Sequence, residues 1–113
     1  MAVNDKVNLA EKLSLVTEYW SPATVGHLNN YKIQVVRTKG EFTWHTHDET
    51  EEFFLVLSGE MVIQFRDRNV HLGQGELFVV PRTVEHCPKV DGECEVLLIE
   101  PAGTVNTGDA GGI

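Results

Sequence analysis

The stretch from His45 to Gly59, HTHDETEEFFLVLSG, sets two histidines two residues apart and four acids ahead of an apolar run. In extended chain, side chains alternate between faces, so His45 and His47 point together with Thr43, while Trp44 and Thr46 point away. In the run that follows, Glu52, Phe54, Val56 and Ser58 share one face, and Glu51, Phe53, Leu55 and Leu57 share the other. A charge at the mouth of an apolar strand is costly unless it is paired or bound to a cation. One of Glu51 and Glu52 is therefore expected to look inward, and parity alone does not choose between them. Asp48 and Glu49 belong to the intervening loop and are expected to stay solvated.

The segments around this stretch repeat its character. YKIQVVRTK, FTWHTH, EFFLVL, EMVIQF, VHL, ELFVV, VEHC and ECEVLLIE are short and rich in branched and aromatic residues. Turn residues separate them, among them Asn29-Asn30, Gly40-Glu41, Ser58-Gly59, Asp67-Arg68 and Asp91-Gly92. No helix-length segment intervenes, which argues against βαβ units and for an all-β sandwich or barrel. Ahead of them, Val7, Ala10 and Leu13 or Leu15 recur at helical spacing, with Asn4 or Asp5 as a cap, and Ser21-Pro22 ends that segment. The expected organisation is an N-terminal helical segment over residues 1–22, a β domain over 23–101 and a loop-like tail over 102–113. IQVV, FFLVL and VLLI are apolar on both faces, so the outer face needs the helix or a second subunit. A homodimer that buries one sheet is the expected answer to that surplus.

With 113 residues, one domain is the natural expectation. The formal net charge of -8 disfavours non-specific binding to nucleic acid or to an anionic membrane surface. Cys87 and Cys94 do not make a disulfide scaffold, and the charged start MAVNDKVNLAEKL does not read as a signal peptide. A cytoplasmic protein is the corresponding expectation.

A third imidazole, His86, follows in VPRTVEHCP. Three histidines and one carboxylate suit a borderline divalent ion such as Fe, Mn, Ni, Co or Zn. The competing reading is an exposed HxH pair with ordinary acids nearby, because periodicity does not bring His86 to the other two. If Gly40-Glu41 makes a two-residue hairpin, Val36 opposes His45 and Gln34 opposes His47, which puts Gln34 beside the histidines. Gln34 could then bond a bound oxygen group, Tyr31 could orient an anionic substrate and His71 could move a proton. For each, an ordinary strand position is the plainer reading. Trp20 is expected to anchor the N-terminal segment, and Trp44 to pack against a partner subunit.

At this point the chain resembles the cupins, double-stranded β-helix or jelly-roll barrels. The first cupin motif is matched by Gly40, His45, His47, Glu52 and Gly59, and the second by Gly75, Pro81 and His86. Two features depart from the usual pattern: the Gly40–His45 interval is one residue short, and Thr83 and Val90 replace a glycine and an asparagine of the second motif. The resemblance covers roughly residues 30–100 and is most similar to small single-domain cupins of the mannose-6-phosphate-isomerase-like type. It implies a closed cupin barrel with a short N-terminal helix, and a divalent metal held by His45, His47, Glu52 and His86. It does not imply one reaction, because this fold hosts many. The functional expectation is a metal-dependent enzyme acting on a small oxygen-rich molecule, by Lewis-acid isomerisation or iron-dependent oxidation. The alternative is a metal-dependent module that binds or senses a sugar or carboxylate without turnover. A structural cupin with a vestigial site is the third possibility.

Overall fold

The computed structural model describes residues 5–105. One short helix, α1 (Leu9–Leu13), precedes seven strands: β1 (Ala23–Leu28), β2 (Tyr31–Glu41), β3 (Glu52–Ser58), β4 (Met61–Phe65), β5 (Asn69–Leu72), β6 (Leu77–Val80) and β7 (His86–Pro101). Asn8 caps α1, its side chain accepting from the Glu11 amide at 3.0 Å. The cap expected at Asp5 therefore sits three residues later, and Asn4 lies outside the described residues. The helix is too short to stand alone; it packs on β2 and buries Leu13. No helix among the described residues is long and apolar enough to cross a membrane.

The seven strands pair antiparallel throughout, in the order β1-β2-β7-β3-β6, with β4 joined to β7 and β5. The expected closed barrel is not formed. The strands keep a jelly-roll arrangement, but the sheet stays open, because neither β1 nor β6 pairs with another end strand. Closure needs end strands long enough and straight enough to meet. Here β6 has four residues, and the β1 ladder is broken by a register shift between Thr24 and Gly26.

Two turns expected from the sequence are absent. Gly40 and Glu41 continue β2 and pair with Val90 and Lys89, so the proposed hairpin register opposite His45 and His47 does not occur. The positive φ of Gly40, 78°, serves a bulge in the β2–β7 ladder. Asp91 and Gly92 lie within β7, which runs unbroken for 16 residues. That length lets β7 serve β4 with residues 86–89 and both β2 and β3 with residues 95–99.

Register then sorts the side chains. On the inner face, Gln34, Leu98, Phe54 and Phe78 form one row across β2, β7, β3 and β6, with Val36, Val96 and Val56 in the next. Leu98, Phe54, Val36, Val96 and Val56 join Met61, Ile63 and Phe65 in the core, and Phe78 packs against it. Cys87 and Cys94 are buried free thiols.

Candidate metal centre

The expected FTWHTH strand is a loop tied to β7 by the Phe42 amide, which donates to the Pro88 carbonyl at 2.9 Å, and by a bridge between His45 and His86. His45 and His86 exchange both backbone hydrogen bonds, each at 3.0 Å, which sets their rings side by side with centroids 4.4 Å apart. The Thr83 amide donates to the His47 carbonyl at 2.8 Å and so ties the second motif to the first. Glu52 opens β3 opposite Val80 and faces inward, 6 % exposed, whereas Glu51 is exposed. The choice that parity left open falls on Glu52.

Four buried side chains thus converge: His45, His47, Glu52 and His86, with their candidate ligand atoms within 4.8 Å of one another. The Nε2 atoms of His86, His47 and His45 stand 2.8, 3.2 and 3.8 Å from Glu52 Oε1. The Nδ1 atoms of His45 and His86 lie 2.8 and 2.9 Å from the carbonyls of Thr43 and Val84. A carbonyl only accepts, so Nδ1 carries the proton, and in a neutral ring that tautomer turns the Nε2 lone pair inward. His45 Nε2 is buried without a hydrogen-bond partner. Lone pairs directed at a carboxylate oxygen require a cation or shared protons between them. Burial pushes the Glu52 carboxyl up, but where protons are shared with the facing imidazoles, hydrogen bonds with His45, His47 and His86 outweigh burial and hold the group well below the usual carboxylate range. The donor set fits a divalent transition ion. With bonds of about 2.1 Å, ligands across such an ion stand about 4.2 Å apart, close to the observed spread.

Beside the cluster lies a cavity of about 30 Å³, walled by Trp20, Phe42, Phe54 and Met61 as well as His45 and Glu52. Trp20 stacks on Phe42 with ring centroids 4.8 Å apart and donates from its indole to the Lys39 carbonyl at 2.8 Å, which fastens the N-terminal segment over this side. A second groove of about 430 Å³ reaches His47 between Thr46–Thr50 and Gly103–Val105.

Among the other candidates, Gln34 lies on the inner face, buried, by its parity with Val36 and Thr38 along β2. Tyr31 is exposed at the start of β2, and His71 is exposed on β5, in a surface groove with Glu60, Gln64 and Lys89 that includes no residue of the cluster. The Arg66 guanidinium lies over the Trp44 ring, 3.7 Å from its centroid.

Glu100 escaped the sequence reading. It is 2 % exposed and shares the inner face of β7 with Val96 and Leu98. Burial first, then the neighbouring Glu52 charge, push its carboxyl above the usual range, and Lys32, at 3.6 Å, opposes them. The available signal was the same as for Glu52: an acid at the inward register of an apolar strand, VLLIE.

Comparison with known proteins agrees with this geometry. The family described as "Cupin domain" matches residues 32–100. A crystal structure of a cupin-2 domain containing protein from Shewanella frigidimarina superposes with a TM-score of 0.83 at 42% identity, covering 84% of this chain and 93% of that one. YdbB of Bacillus subtilis, described as uncharacterized, is 28% identical over 80 residues, which are 70% of this chain and 71% of YdbB. A 3-hydroxyanthranilate 3,4-dioxygenase of Xanthomonas euvesicatoria is 33% identical over 76 residues, or 64% of this chain, and the match spans 43% of the dioxygenase.

Proposed function

The chain belongs to the cupin family, and from that premise we propose that it is a metal-dependent enzyme acting on a small oxygen-rich organic substrate. The observation that carries this reading is the buried convergence of His45, His47, Glu52 and His86, with imidazole lone pairs turned inward. A divalent ion held there would supply Lewis-acid activation of a substrate oxygen or, as iron, redox chemistry with dioxygen. The protein's own part is to hold the ion with four ligands, offset its charge with the Glu52 carboxylate and keep water scarce with the Trp20–Phe42 wall. The groove at His47 falls within the size range of small-molecule sites. The likeness to a dioxygenase favours oxidation of a hydroxylated aromatic ring over carbonyl isomerisation, the reaction suggested by the mannose-6-phosphate-isomerase-like type.

The test begins with elemental analysis of protein prepared without added metal or chelator. Wild type is expected to carry close to one transition ion per chain, and His47→Ala and His86→Ala about one tenth of that or less. Reconstitution with Fe, Mn, Ni or Zn, followed by oxygen uptake with ortho-dihydroxylated aromatics and isomerase assays on sugar phosphates, separates the two reaction classes. Metal-loaded protein that binds these compounds and returns them unchanged would point instead to a binding module.

The homodimer belongs to the same reading. On the outer face, Val35, Leu97, Leu55 and Leu77 form one apolar row, and Ile33, Ile99, Phe53 and Val79 form another. α1 packs on β2 at one end of these rows, while Leu77 and Val79 at the β6 end are exposed. A second copy of the chain seated on that end would bury what the helix leaves open.

A further inference from the structure

Two buried acceptors on the inner face have no donor. Gln34 Oε1 and Glu100 Oε1 are both shielded from solvent and without a hydrogen-bond partner, on residues 6 % and 2 % exposed. The amide nitrogen of Gln34 is committed to Thr24 Oγ1 at 3.2 Å, so its oxygen is the group left over. Lys32 makes its hydrogen bond to the Thr104 carbonyl at 3.1 Å and stands 3.6 Å from Glu100 Oε1, an ion-pair distance that leaves the acceptor unfilled.

Register brings these groups together and sets them beside the metal centre. Gln34 opposes Leu98 and Lys32 opposes Glu100, so Gln34 and Glu100 are diagonal neighbours on one face. On the other side of β7, Phe54 opposes Leu98 and Phe53 opposes Ile99, which carries Glu52 level with Glu100. The charges of Glu52 and His47 both act on Glu100. A sheet that needed only to be stable would place apolar residues at both positions, since buried acceptors without donors are costly.

We propose that Gln34 and Glu100 form a recognition pair for a ligand offering two hydrogen-bond donors, such as a vicinal diol or an ortho-dihydroxylated ring, held with its oxygens toward the metal centre. The pair rests on the reading of His45, His47, Glu52 and His86 as that centre. It extends to Glu100 the role expected of Gln34 from the sequence, a polar contact to a bound oxygen group that is not itself a metal ligand.

The experiment uses the full chain loaded with Co(II), whose content is measured in every sample. Catechol and azide are titrated into it by calorimetry and by the visible bands of the ion. Azide reaches a metal but donates no hydrogen bond. In Gln34→Met and in Glu100→Met, catechol affinity is expected to fall about tenfold, the scale of one good hydrogen bond, while azide affinity stays within about twofold. Glu100→Gln, which keeps an acceptor oxygen, is expected to hold catechol within about threefold of wild type. Equal weakening of both probes, unchanged catechol affinity, or azide binding without catechol binding in wild type overturns the pair and leaves the metal centre standing. A chain that takes up no metal overturns both.

Discussion

Around Glu52, three imidazole nitrogens face one carboxylate oxygen, and two of those rings are fixed by backbone carbonyls in the tautomer that leaves Nε2 unprotonated. With a cation or shared protons between them, these nitrogens stabilise Glu52 as an anion, whereas burial and the Glu52 charge destabilise the Glu100 anion. The sign of the linkage follows. A carboxyl raised in the folded state costs nothing below its ordinary pKa, and stability is lost as pH rises through the raised value. Glu100→Gln is therefore expected to raise the melting temperature of the chelated protein by a few degrees at pH 7, with the gain shrinking as pH falls toward 4. Thermal unfolding across that range checks it, and a gain independent of pH would mean that packing, not charge, separates the two side chains. At this scale the chain was readable in part. His45, His47 and Glu52 stand in one short stretch whose alternation is visible, but the partner of Glu100 lies across two strands that the sequence does not pair.

Among the elements, the β3–β4 turn is the most constrained. Gly59 has φ 84°, and a β-carbon there would meet the Glu93 carbonyl oxygen at 2.3 Å and the Cys94 α-carbon at 3.0 Å. Gly75 has nearly the same φ, 82°, with open space around it. The pair separates backbone strain from collision. Gly75→Ala is expected to cost about 1–2 kcal/mol, and Gly59→Ala about 3 kcal/mol or more, because β7 must move as well. Urea unfolding of the two variants measures the difference, and equal costs would show that the β7 backbone yields freely. The long β2–β7 ladder explains two expected turns that do not form. Gly40-Glu41 and Asp91-Gly92 carry turn residues, yet each continues a strand, because β2 and β7 pair along most of their length and the ladder takes up the irregularity at Gly40 as a bulge. Local turn chemistry does not say when a neighbouring strand will hold a glycine in extended chain.

For the whole molecule, the open sheet leaves an apolar outer surface that ends in exposed Leu77 and Val79. If a second copy covers it, Leu77→Lys is expected to weaken self-association at least about tenfold in sedimentation velocity, with the far-UV circular dichroism and metal content unchanged. Wild type that sediments as a monomer at tens of micromolar would remove the homodimer. The amino-acid order by itself determined the β class and which side chains share a face along each strand, whereas His45 and His47 stand in a loop. Alternation is a property of the extended chain and needs no neighbour. The cupin resemblance implied Glu52 and His86 as ligands, but only the tertiary structure brought them to His45 and His47, set Glu100 behind them and left the sheet open. Those outcomes depend on register between segments far apart in the chain, where a slip of one residue exchanges every face.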